Sequence, residues 1–529
     1  TLGYSIVDEP SIVNVSPAAN SQTFDAKRPL IVATIVNAGA DPIVTMTVNG
    51  EVVDATYVDG MLYWQSATDM ADGRTTVTVT VIRADGKVAE KTWSFTVGVA
   101  QYELYFGQLH SHTTYSDGSG TLASALSYVQ NLPESANVDF VAFTDHSNYF
   151  DTTGSANPEG ALYDMSLASA SSQELWNSYK TAIADFNARQ NNVVAIGGFE
   201  MTWSGGPGHI NTFATPGIVS RNNTTLNSKT ADAGMKAYYA LLSQAEGVDG
   251  ISQLNHPGTT FGNFSDFAYW DALIDTRVQL VEVGNGEGQV GAGGYYPSYE
   301  QYTMALDKGW HIAPTNNQDN HKGKWGNAND ARDVVLTDDF SEAGIYEAIR
   351  NYRVYATEDK NLEIGYTVNG MLLGSIITEV PEKLSFQVTL FDPDSADSIS
   401  KVEVIVNSGK VAYTWDDPAD LADGLLTAEL APDYSYYYLR VTQADGNLAV
   451  TAPVWVGETL KLGISSVVCG TSTPVTGEEL TITTTLFNSE TVQANIKSLT
   501  YTVGSQVLGV DTAPNTIPAS GSTAVSFKY

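Results

Sequence analysis

Hydrophobic and polar residues alternate with a period of two through the first 98 residues of the chain. Runs such as PLIVATIV and TTVTVTVIRADGKVAEKTWSFTV are rich in β-branched residues, and Asn-Gly or Asp-Gly pairs separate such runs. Both features are typical of short antiparallel strands joined by tight turns. The pattern therefore predicts an all-β, immunoglobulin-like sandwich over residues 1–98.

From residue 99 the pattern changes to apolar runs that alternate with stretches of helical period. We expect strands at 103–109, 138–144, 193–199, 209–213, 250–254, 278–283 and 310–315. Helices are expected near 121–131, 171–190, 231–246, 299–308 and 341–351. This alternation predicts an α/β domain over residues 99–360, with a parallel sheet that closes into a barrel.

Strand patterns return after residue 360. Segments such as LSFQVTLFDPD and ISKVEVIVNSGKVAYTW predict a second β-sandwich over residues 361–458. The last segment, 459–529, is predicted to form a small C-terminal β module of the adhesion or spacer type. The chain of 529 residues is long enough for these four domains.

The composition is strongly acidic, with 60 Asp and Glu residues against 26 Lys and Arg residues and a formal net charge of −34. Such a surface repels polyanions and disfavours general nucleic-acid binding. No apolar run reaches the ~18 residues that a membrane span needs. With a single cysteine, Cys469, and abundant Thr, Ser, Asn and Gly, the chain is expected to be an extracellular or cell-surface protein of a bacterium. Its β modules are expected to associate with the cell wall or polysaccharide.

All seven histidines lie between residues 110 and 321, and six of them stand at or beside predicted strand ends. In a barrel the strand ends meet on one face, so these side chains would converge. Imidazole and carboxylate groups on rigid elements are the donors that divalent metal ions bind. His110 and His112 are two residues apart, so both can point the same way. His311 lies inside a predicted strand and is interpreted as structural.

Seven short motifs accompany the histidines in a fixed order. They are HSH at 110–112, SDG at 116–118, TDH at 144–146, GGFE ending at 200, GH at 208–209, NHP at 255–257 and DNH at 319–321. This ordered set resembles the polymerase and histidinol phosphatase (PHP) family of metallohydrolases over about half of the chain. The segment from DNHKGKWG to IGYTVNG resembles the carbaryl-hydrolase-like branch of that family, which includes secreted hydrolases.

The resemblance implies a distorted (β/α)7 barrel, the PHP fold, flanked by immunoglobulin-like β-sandwich domains. It also implies two to three divalent metal ions, for which zinc, manganese and iron all suit a mixed nitrogen and oxygen donor set. The ligands carried over by motif are His110, His112, Glu200 and Asp319 for the first ion, Glu200, His209 and His256 for the second, and Asp117, His146 and His321 for the third.

Four residues are assigned to catalysis. Glu200 would bridge the first two ions, and His256 would bind the second. Asp145 either orients a neighbouring imidazole or ends a strand. Lys322, next to Lys324, either neutralises a substrate phosphate or is an exposed loop lysine.

Five further residues near the motifs have two interpretations each. Trp203 and Trp325 would either wall the pocket or pack in the core. Asn255, Asn316 and Asn317 would either contact the substrate or hold the loops.

The activity implied is hydrolysis by a hydroxide that bridges two metal ions and attacks phosphorus or carbon. We expect a phosphoesterase that acts on a small phosphorylated molecule, which is the commonest chemistry of the family. A carbamate, ester or amide hydrolase with the same site is the first alternative. A non-enzymatic cell-surface binding protein with a retained metal domain is the second.

Overall fold

The computed structural model describes residues 10–17, 23, 26–58, 60–98, 102–151, 158–189, 192–243, 250–271, 274–377, 380–394, 397–457, 462–469, 479–488, 494–496, 499–503, 506–511, 515–517 and 521–529. The chain divides into two compact units. One comprises Thr1–Gln101 with Thr459–Tyr529, and the other comprises Tyr102–Glu458. The predicted boundaries at 98/99 and 458/459 involve residues outside the described part of the chain.

The N-terminal part of the first unit is all-β, as the period-two pattern predicts. Its strands are β1 (Ser11–Ser16), β2 (Leu30–Val36), β3 (Ile43–Val48), β4 (Glu51–Val53), β5 (Thr56–Val58), β6 (Met61–Gln65), β7 (Gly73–Ile82) and β8 (Val88–Val97). They form two four-stranded sheets in the orders β1-β2-β6-β5 and β4-β3-β7-β8. The alternation in β7 buries Val77, Val79 and Val81 against Trp93 and Phe95 of β8.

The second unit begins with a long run of strands, and every histidine of the chain lies within this region, His209 in a strand and the other six between strands. These strands are β9 (Glu103–Gln108), β10 (Phe140–Phe143), β11 (Val194–Thr202), β12 (His209–Phe213), β13 (Ile251–Asn255), β14 (Val278–Asn285), β15 (Tyr296–Pro297), β16 (Ala313–Asn317), β17 (Arg332–Thr337) and β18 (Val354–Thr357). Its helices are α1 (Leu122–Gln130), α2 (Ser147–Phe150), α3 (Ala170–Asn187), α4 (Ala233–Ser243), α5 (Phe264–Phe267), α6 (Tyr299–Asp307), α7 (Glu342–Arg350) and α8 (Pro418–Asp423). The seven strands and five helices predicted between residues 99 and 360 are all present, with ends within about three residues.

The rest of the second unit is built almost entirely of strands. They are β19 (Glu363–Val368), β20 (Met371–Leu372), β21 (Ile376–Ile377), β22 (Leu384–Phe391), β23 (Ile399–Val406), β24 (Lys410–Trp415), β25 (Leu425–Leu430), β26 (Tyr436–Gln443), β27 (Leu448–Thr451) and β28 (Val454–Val456). Strands β20-β19-β22-β25 form a separate antiparallel sheet. The remaining strands extend the sheet that carries the histidines.

The predicted (β/α)7 barrel is wrong. Strand residues make up 40% of the structure and helical residues 21%. One mixed sheet runs in the order β15-β14-β13-β12-β11-β10-β9-β17-β18-β27-β26-β23-β24 and curls as a half-barrel. Strand β12 is antiparallel to both β11 and β13, and β17 is antiparallel to both β9 and β18. Among the described strands no ladder joins β16 to β17, so the sheet does not close.

The sheet also continues past the predicted boundary at residue 360. Strand β18 pairs with β27 in an antiparallel ladder, which joins the histidine-bearing strands to the predicted 361–458 module. Residues from both parts share one buried core, which includes Phe106, Val334 and Tyr355 together with Phe386 and Tyr437.

Helix α3 packs against β11 and helix α7 against β17, in each case through the apolar side of the helix. Ser169 caps the N-terminus of helix α3, because its hydroxyl accepts a hydrogen bond from the amide of Ser172, and the helix buries Trp176, Tyr179 and Ile183. At Gly107 in β9 a Cβ would lie 2.2 Å from the carbonyl oxygen of Phe140, so only glycine allows β9 and β10 to pair here. Within the described residues, no helix has both the length and the apolar character needed to cross a membrane.

The C-terminal part of the first unit is also made of strands. They are β29 (Leu462–Cys469), β30 (Thr481–Asn488), β31 (Ala494–Ile496), β32 (Leu499–Val503), β33 (Gln506–Asp511), β34 (Asn515–Ile517) and β35 (Gly521–Lys528). Strands β29, β30 and β35 form an antiparallel sheet, and β31 pairs with β34 and β32 with β33.

Candidate metal centre

Strand ends of the curled sheet bring the nine predicted metal ligands together. Strands β9, β10, β13 and β16 each end one to three residues before a ligand, and β11 and β12 each contain one. Strands β9, β10 and β11 are parallel neighbours, so their C-terminal ends meet at one edge of the sheet. The nine side chains form three groups and are His110, His112, Asp117, His146, Glu200, His209, His256, Asp319 and His321.

The first group consists of His110, His112 and Asp319. Asp319 Oδ1 lies 3.2 Å from His110 Nε2 and 2.9 Å from His112 Nε2. The Nε2 atoms of the two imidazoles are 3.2 Å apart, and both rings are fully buried. Donor atoms this close to one another could hold a divalent metal ion.

The second group consists of Glu200, His209 and His256. Glu200 Oε1 lies 3.2 Å from His209 Nδ1 and 3.5 Å from His256 Nε2. The same oxygen lies 3.5 Å from Nε2 of His110 in the first group. Glu200 therefore stands between the two groups, at the position where the sequence predicts a bridging ligand.

The third group is more exposed and consists of Asp117, His146, His321 and His112. Asp117 Oδ1 lies 3.4 Å from His146 Nε2 and 3.3 Å from His321 Nε2. The ring of His112 stacks on that of His321, with centroids 4.0 Å apart. His112 therefore adjoins two groups, whereas the sequence assigned it only to the first.

The buried carboxylates of the centre require positive charge. Burial alone would raise the pKa of Glu200, but the imidazoles of His209 and His146 hold it well below its usual range. Burial would also raise the pKa of Asp319, and His110 and His112 hold it low in the same way. Among the described residues no lysine or arginine forms an ion pair with either carboxylate. Divalent cations would meet this demand, so the donor set fits them.

The imidazoles respond to the same carboxylates. Burial alone would lower the pKa of His110, whereas Asp319 and Glu282 raise it to about 10. Burial would likewise lower the pKa of His321, and Asp117 and Asp319 raise it to about 9. Each carboxylate of the centre therefore shifts the pKa of the neighbouring imidazoles, and each imidazole shifts the pKa of the neighbouring carboxylates.

Glu282 in β14 contacts the candidate site, and the motifs did not identify it. Its Oε1 lies 2.8 Å from His110 Nδ1, and its Oε2 accepts a hydrogen bond of 2.6 Å from the amide of His256. Gln253 and Asn285 donate to the same fully buried carboxylate. The sequence does contain a sign of this residue, because Glu282 is a charged residue in the middle of the apolar strand VQLVEVGN. A buried charge needs partners, so such a residue is expected to contact other polar groups.

Two ligands have a backbone conformation that is costly for residues other than glycine. His256 has φ +30° and Asp319 has φ +47°. Such strain persists only where the surrounding structure holds it, and it is concentrated at functional sites. At His256 the carboxylate of Glu282 supplies part of that restraint through the amide hydrogen bond.

Asp145 holds the loop between His112 and Asp117. Among the described residues its carboxylate forms no hydrogen bond or ion pair with an imidazole. Its Oδ1 accepts hydrogen bonds of 2.7 Å from the Thr113 amide and 2.7 Å from the Ser116 hydroxyl. Its Oδ2 accepts a hydrogen bond of 2.8 Å from the Thr113 hydroxyl. Asp145 therefore fixes the segment between His112 and Asp117.

Lys322 lies at the rim and is 79% exposed. Its ammonium is 2.8 Å from Glu287 Oε2, and Glu287 Oε1 also accepts hydrogen bonds from the amides of His321 and Lys322. Lys324 is exposed as well, and its amide donates to Asn320 Oδ1 at 2.9 Å. The ammonium of Lys322, which lines the cavity beside the centre, is thus already paired with a carboxylate.

The tryptophans and asparagines near the motifs have structural contacts. Trp325 Nε1 donates to the carbonyl oxygen of His112 at 2.8 Å, and Trp203 Nε1 donates to the carbonyl oxygen of Leu226 at 2.6 Å. Asn255 Nδ2 donates to Glu200 Oε1 at 2.9 Å, and Asn317 Oδ1 accepts from the amide of Leu109 at 2.6 Å. Both tryptophans are buried, and these two asparagines hold a ligand or its loop.

Asn316 and His311 lie outside the three groups. The Asn316 amide donates to Asp333 Oδ1 at 2.6 Å, and its side chain contacts Tyr295. His311 Nδ1 lies 2.7 Å from Asp275 Oδ2, and its ring packs against Trp455. Their contacts belong to the surrounding framework.

A cavity of about 730 Å³ opens beside the centre. Its lining includes the ligands His256, Asp319 and His321, and the rim residues Phe261 and Lys322. The ring of Phe261 is 42% exposed and lies 4.7 Å from the ring of His256. A small molecule in this cavity would meet metal ligands on one side and an aromatic wall on another.

Comparison with known proteins shows only distant similarity. No family model matches the chain. An uncharacterized protein of Chlamydia muridarum (strain MoPn / Nigg) is 23% identical over 137 residues, which cover 23% of this chain and 22% of that protein. The chain therefore matches less than a quarter of the length of this curated relative.

The similar solved structures cover very different shares of the chain. CopC from Methylosinus trichosporium OB3b is 22% identical, with a TM-score of 0.14, over 18% of this chain and 99% of that chain. The apo structure of Bacteroides uniformis beta-glucuronidase 3 is 9% identical, with a TM-score of 0.20, over 98% of this chain and 73% of that chain. TM-scores this low carry no argument about fold or function.

Proposed function

We propose that the protein is a hydrolase that depends on two to three divalent metal ions. The observation that carries the proposal is the convergence of the nine nitrogen and oxygen donors on one edge of the sheet. Zinc, manganese and iron all suit such a mixed donor set. When bound, these ions would lower the pKa of water toward neutrality and polarise the bond to be hydrolysed.

The residues of the chain would hold and orient the parts of such a site. His110, His112 and Asp319 would bind one ion, and Glu200 would share its carboxylate with the group of His209 and His256. Because a carboxylate can only accept, Glu282 requires the proton of His110 on Nδ1 and leaves Nε2 as the donor to a metal. His256 would be held in its strained conformation by the same glutamate.

The first substrate class we propose is a small phosphate ester. The cavity is of a size that admits a small molecule, and it opens directly onto ligands of two groups. Bound metal ions would balance the negative charge of a phosphate even though the chain as a whole is acidic.

A carbamate, ester or amide is the second candidate class, and two observations favour it. Lys322 is already paired with Glu287, so it is not a free cation for a phosphate group. Phe261 adds an exposed aromatic surface next to His256, which suits a neutral substrate with an apolar group.

A panel of substrates on the metal-loaded protein separates these classes. The metal content is measured first, and turnover of p-nitrophenyl phosphate and bis-p-nitrophenyl phosphate is compared with that of aryl carbamates and acetates. Turnover of the phosphates alone supports the phosphoesterase. Turnover of carbamates or acetates alone supports the second class. Full metal occupancy without turnover of any of them would favour a non-enzymatic binding protein, and a protein that binds no metal would overturn the proposal.

We also propose an extracellular or cell-surface location, with contact to cell wall or polysaccharide through the β modules. The acidic composition supports this, as do the strand-rich segments that precede and follow the metal-centre residues in the sequence. Pull-down of the full chain with insoluble cell wall, compared with a bare resin, tests the association. Recovery in the unbound fraction at low and high salt alike would contradict it.

A further inference from the structure

The cavity beside the metal centre has two exposed aromatic side chains in its lining, and neither is a metal ligand. Phe261 is 42% exposed, and its ring centroid lies 4.7 Å from that of His256 and 5.1 Å from that of His209. Tyr296 of β15 is 67% exposed. Ligand pockets are typically lined by aromatic side chains with a few polar groups. These two rings are therefore suited to hold the part of a substrate that is not hydrolysed.

The backbone fixes the segments that carry both rings. Gly258 and Gly262 exchange two hydrogen bonds, of 3.0 and 3.1 Å, across the loop that carries Phe261. A Cβ at Gly262 would lie 2.2 Å from the carbonyl oxygen of Pro207, so this loop packs closely against the neighbouring segment. Tyr296 lies in β15, which pairs with β14 in an antiparallel ladder. The rings thus belong to a cavity wall that is already built.

The charges of the same lining are arranged to suit a cation. Glu300, in the first turn of α6, is exposed and lines the cavity. Among the described residues its carboxylate forms no hydrogen bond or ion pair. Lys322 is the only lysine or arginine among the described lining residues, and its ammonium is paired with Glu287. The cavity therefore offers two aromatic faces and a free carboxylate, but no free positive side chain.

We propose that the substrate carries a methylated ammonium group, which Phe261, Tyr296 and Glu300 bind. This inference rests on the proposed hydrolase function and names its substrate class. Aromatic faces attract a cation through the ring quadrupole, and a carboxylate adds a direct charge attraction. A phosphate ester or an aryl ester without a positive charge would gain nothing from Glu300. The net charge of −34 also draws cations toward the protein.

A primary ammonium group fits this lining less well than a methylated one. It has three N–H donors, and each needs an acceptor once water is excluded. Glu300 offers one carboxylate, and the faces of Phe261 and Tyr296 offer no oxygen. A methylated nitrogen has few or no N–H donors and presents apolar methyl groups to the rings.

Isothermal titration calorimetry of the Zn²⁺-loaded full chain with choline, ethanolamine and 3,3-dimethylbutanol tests the site. Choline and 3,3-dimethylbutanol share shape and hydroxyl group, but a carbon replaces the charged nitrogen in the latter. The variants are Glu300→Gln, Phe261→Leu and Tyr296→Leu. Glu174→Gln on α3 and Phe391→Leu on β22 are matched controls, because both residues are exposed and lie outside the cavity lining. Circular dichroism and metal analysis check the fold and the metal content of each variant.

We expect choline to bind at least about tenfold more tightly than 3,3-dimethylbutanol, and more tightly than ethanolamine. Glu300→Gln should weaken choline binding at least about fivefold and each leucine variant of a lining ring at least about threefold, whereas the controls should match the wild type. Three results would each overturn the proposal: equal affinity for choline and 3,3-dimethylbutanol, tighter binding of ethanolamine than of choline, or no saturable binding of choline up to about 10 mM. Choline binding that is unchanged in Glu300→Gln would overturn it as well.

The calorimetry does not depend on turnover, so the ammonium site and the hydrolase function fail separately. Turnover is compared within two matched pairs, phosphocholine with 3,3-dimethylbutyl phosphate and acetylcholine with 3,3-dimethylbutyl acetate. Hydrolysis without a preference for the charged member of either pair would overturn the ammonium site and leave the hydrolase in place. Selective binding of choline without hydrolysis of any substrate would support the ammonium site and contradict the hydrolase.

Discussion

Glu282 lies directly behind His110, with its Oε1 2.8 Å from the imidazole Nδ1. The other imidazole nitrogen, Nε2, faces Asp319 at 3.2 Å and Glu200 at 3.5 Å. The carboxylate thus sets both the orientation of the ring and which nitrogen is free to bind a metal. The motifs locate His110 in the sequence, and a residue 172 positions further along controls its chemistry.

Glu282→Gln should therefore weaken metal binding while leaving the ligands in place. Glutamine is close in size and keeps hydrogen bonds with Asn285 and the His256 amide, but its amide no longer enforces one tautomer of His110. Outer carboxylates of this kind typically contribute about 10- to 100-fold to metal affinity. Competition with a chromophoric chelator measures the change. Asp275→Asn is the control, because Asp275 contacts His311 Nδ1 at 2.7 Å outside the centre. An equal loss in both variants would contradict the argument.

His256→Ala should abolish turnover and lower the metal content, with the fold intact. The substitution removes one of the three donors of the Glu200 group and also the strained residue at the cavity wall. We expect the rate to fall by at least about 10³-fold, measured on the substrate panel alongside metal analysis. His311→Ala removes a histidine of similar burial that lies outside the groups, and it should keep its metal. Unchanged activity in His256→Ala would refute the assignment of this residue.

The local pattern predicted the elements of the second unit well but not their arrangement. Strands β9 to β14 and the helices between them lie where the apolar periodicity places them, because each segment buries one face. The period of a strand does not report its direction, however, and β17 pairs antiparallel with β9 through contacts more than 220 residues apart. Strands β17 and β18, which the sequence did not predict, turn the expected closed barrel into an open sheet.

The candidate ligands were easier to find in the sequence than the residues that contact them. His110, His112 and His256 are recognisable because histidine is rare in this chain and recurs beside strand ends. Glu282 and Asp145 act through hydrogen bonds to residues that are distant in the sequence or belong to another loop, so no short motif contains the relationship. A charged residue inside an apolar strand is the one local signal that such a partner exists.

Asp145→Ala should destabilise the loop between His112 and Asp117. The change removes three acceptor contacts and leaves the fully buried amide of Thr113 without a partner. Loss of hydrogen bonds to a buried carboxylate typically costs about 2–4 kcal/mol of unfolding free energy. Urea denaturation followed by fluorescence measures this cost. Asp145→Asn keeps an oxygen that can accept from the Thr113 amide, and its free energy of unfolding should fall less. If Asp145→Ala is as stable as the wild type, Asp145 does not hold this loop.

Lys322→Ala should have little effect on the hydrolysis of any substrate. Its ammonium is mostly exposed and paired with Glu287, and exposed pairs of this kind contribute weakly. We expect kcat/KM for p-nitrophenyl phosphate to change by less than about threefold. If Lys322 instead binds the phosphate, turnover of p-nitrophenyl phosphate will fall much more than turnover of p-nitrophenyl acetate. Lys324→Ala, a second exposed lysine of the same loop, provides the comparison.

Removal of metal should lower the stability of the second unit and should be reversible. Glu200 and Asp319 are buried carboxylates with no lysine or arginine partner among the described residues, so a cation that binds only the folded chain stabilises it. Linkage gives about 2.7 kcal/mol when the free metal is at 100 times its dissociation constant. Dialysis against a chelator should therefore lower the melting temperature, and added Zn²⁺ or Mn²⁺ should restore it. The variant Glu200→Gln, which loses the carboxylate shared by two groups, should show a smaller shift on metal addition. A melting temperature that is the same with and without metal in the wild type would argue against a bound ion.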